Sequence, residues 1–260
     1  MQSSKKENVL ITGPTSGIGY EIAHQFAAHG HNLILVSRNS ANLDAVAVIL
    51  RKKYGVTVMT IAANLSEPDS PSVVWRECEK RGCAISVLVN NAGCSIFGKF
   101  HESNIRAQLN IMRLNMAGLV HLTHLFLQPM IRAGRGRILN VSSLGAFSPC
   151  PLTAIYGATK AFTLSFSCAL SEELQDSGVT VTALCPGGTV SKFQAVAGVK
   201  VDPNAMTANE VAEIGYRACM SGKRVSVAGK ENTVKSILFR MMPLAFGTKI
   251  VHYYHKKRAL

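Results

Sequence analysis

Six short runs rich in β-branched and aliphatic residues recur along the chain, at residues 9–12, 32–37, 56–61, 86–90, 137–142 and 180–185. Longer stretches of helical periodicity lie between them, at 18–29, 41–54, 69–81, 102–132 and 153–177. This alternation constrains the fold more than any other feature. The runs show little apolar–polar alternation, as expected of strands buried on both faces of a parallel sheet. Strands and helices alternating at this spacing build βαβ units. The expected fold class is therefore α/β: one domain with a doubly wound parallel sheet of about seven strands. At 260 residues and 47% hydrophobic content the chain is long and apolar enough for one large core. No composition shift interrupts the pattern before residue 225. Residues 1–230 read as the main domain and 231–260 as a basic, apolar extension of it.

The formal net charge of +13 admits nucleic acid, anionic membrane or acidic ligands, or simply a solvated basic surface. No interleaved basic–aromatic platform or reader motif is present, so a nucleic-acid partner is not expected. The seven cysteines, at 78, 83, 94, 150, 168, 185 and 219, are odd in number and lack CxxC spacing. A disulfide framework is therefore not expected, and a reducing, cytoplasmic location is. The eight histidines form no metal-ligand pattern, and no metal is expected. The first residues run from Met1-Gln2-Ser3-Ser4-Lys5-Lys6 into Val9-Leu10-Ile11 without the apolar segment of a secretory signal. The nearest approach to a spanning segment, residues 114–131, carries Asn115, His121, His124 and Gln128 and reads as a buried amphipathic helix.

The first run ends in Thr12-Gly13-Pro14-Thr15-Ser16-Gly17-Ile18-Gly19, and a helical pattern follows at once. Glycines at Gly13, Gly17 and Gly19 permit a tight turn and close approach of backbone to phosphate. Thr15, Ser16 and Ile18 bring the helix N–H groups to a pyrophosphate. Such a strand–turn–helix is the dinucleotide site of a Rossmann-type fold. The second run ends in Val36-Ser37-Arg38-Asn39. No acidic residue stands there to take adenosine ribose hydroxyls. Arg38, between Ser37 and Asn39, is suited to a 2′-phosphate, so the expected cofactor is NADP(H). The plain alternative is a solvated arginine at a strand end.

Three more motifs follow in order. Val89-Asn90-Asn91-Ala92-Gly93 closes the fourth run, Asn140-Val141-Ser142-Ser143 the fifth, and Tyr156-Gly157-Ala158-Thr159-Lys160 opens the next helix. With the glycine turn, and with Pro186-Gly187 and Thr189 after the sixth run, they resemble the short-chain dehydrogenase/reductase family over about residues 8–220. The resemblance implies an oxidoreductase that moves a hydride between NADP(H) and a carbonyl or alcohol carbon. It implies catalytic roles for Asn115, Ser143, Tyr156 and Lys160. It implies further cofactor contacts at Asn64, Leu65, Asn90, Ala92, Gly93, Tyr156, Lys160, Pro186, Gly187 and Thr189.

The chemistry follows from the residue types. Tyr156 and Lys160 are four apart and share a helix face. A free phenol, with a pKa of about 10, is too weak an acid to ionise at neutral pH. A neighbouring ammonium and the positive nicotinamide ring favour the phenolate. Tyr156 then exchanges a proton with the substrate oxygen, Ser143 hydrogen-bonds that oxygen, and Lys160 also holds the nicotinamide ribose. Asn115, in Leu114-Asn115-Met116-Ala117-Gly118, resembles the family's helix asparagine, whose backbone carbonyl anchors a water in the proton relay. Two departures stand out: Asn64 occupies the position of an aspartate that faces the adenine amino group, and Pro14 sits inside the glycine turn.

Residues 94–97, 147–152 and 190–206 are mostly apolar and are expected to form the substrate wall, which favours a lipophilic carbonyl or alcohol substrate. The rival reading is a non-catalytic NADP(H)-binding sensor or scaffold; such proteins often lose the tyrosine or lysine, and this chain keeps both. The helices around 102–132 and 153–177 carry surplus apolar surface, from which a homodimer or homotetramer is expected. Residues 235–260 alternate apolar and aromatic side chains with basic ones and contain no acid. Pro243 and Gly247 divide the stretch, so it is too broken to span a bilayer. It either makes peripheral contact with a membrane surface or covers the substrate pocket or a subunit interface.

Overall fold

Seven strands form one parallel sheet. The computed structural model describes residues 6–190 and 205–258. In chain order the elements are β1 Asn8–Thr12, α1 Gly17–Ala28, β2 Asn32–Ser37, α2 Ser40–Tyr54, β3 Val58–Ala62, α3 Ser70–Lys80 and β4 Ile85–Asn90. There follow α4 Ile105–Met112, α5 Leu119–Arg132, β5 Gly136–Val141, α6 Ala154–Glu173 and β6 Val179–Cys185. A short pair, β7 Thr189–Val190 and β8 Met206–Thr207, precedes α7 Ala208–Met220, β9 Val225–Val227, α8 Lys230–Met241 and α9 Leu244–Arg258. The sheet order is β3-β2-β1-β4-β5-β6-β9. The chain reverses direction across the sheet between β1 and β4, and a crevice opens there at the carboxyl ends of the strands.

The expected α/β, doubly wound Rossmann-type sheet is therefore present. Alternate residues of β1 serve opposite faces: Val9 and Ile11 pack with α1, α2 and α7, while Leu10 packs with α3, α5 and α6. Both layers are dry, which is why the strands read as unbroken apolar runs. Local signals set the element ends. Asn39 caps α2 by accepting from the Asn42 amide, and Gly55 closes it at φ 65°. Thr207 and Glu210 form a reciprocal capping box on α7.

Three boundaries differ from expectation. The third strand begins at Val58 rather than 56, because Gly55 turns the chain and the Thr57 amide donates to Asn32 Oδ1. The stretch 102–132 is not one helix. Asn104 caps a fresh start, accepting from the amides of Arg106 and Ala107, and a π-helical turn, Arg113–Gly118, separates α4 from α5. The end of the chain forms two consecutive helices, α8 and α9, divided near Pro243. Among the described residues no helix is long and apolar enough to cross a membrane.

Candidate active site

The turn between β1 and α1 is packed too tightly for side chains. Gly13 has φ 67°, and a Cβ there would lie 3.0 Å from Asn91 Nδ2. A Cβ at Gly19 would lie 2.2 Å from the same nitrogen and 2.3 Å from the Gly13 carbonyl oxygen. Asn91 holds the turn by donating from Nδ2 to the carbonyls of Thr12, at 2.9 Å, and Gly13, at 3.0 Å. Thr12 Oγ1 in turn accepts from the amides of Asn91 and Ala92. Ser16, at the N-cap of α1, makes no side-chain cap, which leaves the first-turn amides open toward a ligand. This cradle fits a dinucleotide pyrophosphate. Arg38 is exposed at the end of β2 and makes no ion pair among the described residues, so its guanidinium is available to a phosphate.

The four residues expected to carry chemistry converge. Ser143 lies just past β5 and takes extended backbone at the head of a 3₁₀ turn, Leu144–Ala146, where its Oγ accepts from the Gly145 amide at 3.1 Å. Burial pushes the Tyr156 phenol up to about 12, while Ser143 pulls the other way and favours the phenolate. Lys160 is buried, and its ammonium donates to the Val141 carbonyl at 2.8 Å. The same ammonium stands 5.6 Å from the centre of the Tyr156 ring. Burial pulls Lys160 down to about 8, against the opposing influence of the Cys185 and Cys94 thiols.

Asn115 occupies the π-helical turn and is buried. Its Nδ2 donates to the Cys94 carbonyl and to Thr159 Oγ1, both at 3.1 Å, and its Oδ1 accepts from the Cys94 amide at 3.0 Å. One side chain thus joins the loop after β4 to the helix that carries Tyr156. A Cβ at Gly93 would lie 3.2 Å from Asn115 Oδ1 and 3.6 Å from Lys160 Nζ, so a side chain there would crowd Asn115. Across a π turn one main-chain carbonyl loses its usual helical partner, a feature frequent at functional sites.

Other expected site residues make defined contacts within the chain. Asn90 turns away from the crevice: its Nδ2 donates to Thr123 Oγ1 and Asn140 Oδ1, and Asn140 donates to Ser167 Oγ, forming a buried polar chain. Its neighbour Asn91, which sequence reasoning quoted but gave no role, is the one that braces the glycine turn. Asn64 Oδ1 accepts from the amide and hydroxyl of Ser66, and its Nδ2 donates to Glu67, so the side chain closes its own turn. Leu65 is buried, and its carbonyl would lie 2.5 Å from a Cβ at Gly118. Thr189 Oγ1 donates to the Gly187 carbonyl at 3.1 Å. A Cβ on Gly187 would lie 2.5 Å from Asn232 Nδ2, so α8 rests directly on the Pro186-Gly187 turn.

The loops expected to form the substrate wall are tied together. The Gly98 amide donates to the Leu152 carbonyl at 2.8 Å, and Leu152 itself sits at φ 68°, a strained conformation for a branched residue. The two C-terminal helices contact them. The Arg240 guanidinium stacks 4.8 Å from the Phe147 ring centre, and His255 Nδ1 donates to the Pro151 carbonyl at 2.6 Å. Phe97 meets the His255 ring edge-on at 6.1 Å. Of the stretch 190–206 expected in this wall, residues 191–204 lie outside the described residues.

Comparison with known proteins agrees with this geometry. Residues 7–200 match the family of short chain dehydrogenases. A very-long-chain 3-oxoacyl-CoA reductase of Laccaria bicolor is 32% identical over 86% of this chain and 66% of its own length. The 17-beta-hydroxysteroid dehydrogenase type 3 of Mus musculus is 35% identical over 68% of this chain and 58% of its own. The chain thus spans less than two thirds of the length of these curated relatives. A solved short-chain dehydrogenase from Sphingobium yanoikuyae, in complex with NADPH, superposes with a TM-score of 0.81 at 31% identity, covering 92% of this chain and 97% of that one. Fold, motif order and these likenesses coincide: the chain belongs to the short-chain dehydrogenase family of oxidoreductases.

Proposed function

We propose that the protein is an NADPH-dependent carbonyl reductase acting on a lipophilic ketone, with Tyr156 as the proton donor. The observation that carries this reading is the Lys160 ammonium 5.6 Å from the centre of the Tyr156 ring, with Ser143 acting on the same phenol. Bound NADPH supplies the hydride; the chain's own residues handle the oxygen and its proton. Ser143 donates to the substrate oxygen and stabilises its developing charge. Tyr156 donates the proton that converts that oxygen to a hydroxyl. Lys160, held by the Val141 carbonyl, orients the ribose and favours the phenolate left behind. Asn115 positions the helix and the loop around them.

The cofactor preference rests on Arg38 and the absence of an acid beside it, and an NADPH-bound relative supports it. The lipophilic substrate class rests on the apolar wall around Phe97, Phe147 and Leu152 and on relatives named for 3-oxoacyl thioesters and hydroxysteroids. We read residues 1–230 as the catalytic domain and 231–260 as its extension, supported by the seat of α8 on Gly187. We also read the protein as a homo-oligomer. An apolar groove of about 680 Å³ on the outer side of α4–α6, lined by Leu109, Met112, Met116, Val120 and Phe162, suits the same face of a second copy.

The test is substrate-dependent oxidation of NADPH with 3-oxoacyl thioesters, steroid ketones and bulky aryl ketones, NADH being run in parallel. Turnover with at least one of these and NADPH is expected. Tight NADPH binding without turnover on any would favour a cofactor sensor instead.

A further inference from the structure

The helix α8 is turned inside out. Its inward face is polar except for the half-buried Phe239: Asn232 rests on Gly187, and Ser236 is buried with its hydroxyl donating to the Thr233 carbonyl. Its outward face carries Val234, Ile237, Leu238 and Met241, spaced as i, i+3, i+4 and i+7, all exposed and Met241 80% so. A helix packed on a domain ordinarily turns such a stripe toward the core. The exposed apolar residues continue beyond Pro243 with Leu244, 70% exposed, and Phe246.

The charge around this surface has one sign. Residues 232–260 contain no Asp or Glu. On α9 the exposed residues Phe246, Lys249, Tyr253 and Lys257 fall on one face, with the Lys257 ammonium 4.5 Å from the Tyr253 ring centre. An apolar protein partner would cover the stripe but leave this basic row unanswered. An anionic lipid surface meets both, since it takes an apolar face into the acyl boundary, accommodates Tyr at headgroup depth and attracts Lys.

We propose that α8 and α9 dock the protein on an anionic lipid bilayer, with the stripe from Val234 to Met241 and the junction residues Leu244 and Phe246 inserted, and Lys249, Lys256 and Lys257 over the headgroups. Arg240 and His255 fasten these helices to the loops of the proposed substrate wall, so docking brings that wall close to the membrane. That last consequence rests on the reading of a lipophilic substrate; the docking does not.

The full chain is tested by co-sedimentation with vesicles of phosphatidylglycerol and phosphatidylcholine in equal parts, and of phosphatidylcholine alone. Binding to the anionic vesicles is expected, weakening as salt is raised about tenfold. A combined Ile237→Ser, Leu238→Ser, Met241→Ser variant should lose most of it, by about tenfold or more. Replacing Lys249, Lys256 and Lys257 by Glu should weaken it by at least about fivefold per charge removed. Both variants should keep wild-type NADPH affinity and solution turnover, which tests folding and the reductase reading separately from docking. Wild type remaining in the supernatant with anionic vesicles overturns the proposal, as does undiminished binding by the serine variant. So does absence of vesicle binding together with a wild-type oligomer that the serine variant dissociates in light scattering, which assigns the stripe to a second copy.

Discussion

The Lys160 ammonium donates to the Val141 carbonyl at 2.8 Å and stands 5.6 Å from the centre of the Tyr156 ring. A backbone carbonyl therefore fixes the cation that the phenol needs. Tyr156→Phe should lower kcat by about a hundredfold to ten-thousandfold and leave NADPH affinity within about twofold. Steady-state kinetics beside cofactor titration measures this, and near-normal turnover by the phenylalanine variant would remove Tyr156 from the mechanism.

Lys160 is held at a cost in stability. Burial lowers its pKa from 10.5 to about 8, so at neutral pH the folded protein carries a charge that its surroundings disfavour. That penalty is fully present below about pH 8 and fades as pH rises toward the ordinary lysine value. Lys160→Met should therefore raise apo-protein stability at pH 7 by about 1–3 kcal/mol while abolishing turnover. Denaturant unfolding decides it; a destabilised methionine variant would contradict the argument.

The two directions of reaction should part with pH. Burial holds the Tyr156 phenol up at about 12, so it stays protonated and ready to donate across the neutral range. Reduction should be level below about pH 8 and decline above it as Lys160 loses its proton. Oxidation needs the phenolate and should climb through the alkaline range. Profiles of kcat in both directions check the sign, and a reductive rate that rises with pH would be incompatible with it.

Arg38→Asp should reverse cofactor preference. A charge-assisted contact to the 2′-phosphate contributes about 1.5–3 kcal/mol, hence about ten- to a hundredfold for NADPH over NADH. Equal use of both cofactors by the unmodified protein would show that Arg38 does not contact the phosphate.

Gly19→Ala probes the cradle itself. The added methyl would lie 2.2 Å from Asn91 Nδ2, which two hydrogen bonds hold, and 2.3 Å from the Gly13 carbonyl oxygen, which is backbone. Loss of NADPH binding and destabilisation of about 1–3 kcal/mol are expected. Calorimetric binding and thermal unfolding report both.

The legible part of this fold was the part written in period and glycine. Buried strands such as 9–12 and the turn at Gly13 to Gly19 have no other reading once a helix follows. The π turn at Asn115 was not legible, because one extra residue per turn barely perturbs a 3.6-residue pattern across 102–132. Nor was the division of labour between Asn90 and Asn91: successive strand residues face opposite ways, and sequence alone does not say which faces the glycine turn. Asn64 was read as a cofactor group, yet Ser66, two residues on, offers its carbonyl oxygen a local partner. In α8 the apolar stripe was visible in the spacing, but its direction was not. That direction depends on Gly187, far away in sequence, which leaves room for Asn232 beneath the helix.

Three pieces of chain at the proposed substrate wall are tied to one another by hydrogen bonds. Gly98 and Leu152 join the first loop to the second, and Pro151 joins the second to α9 through His255. On the proposed reading, admission of a bulky molecule and escape of its product would call for these contacts to open together. The frequency of that opening would then cap turnover whatever the chemistry at Tyr156.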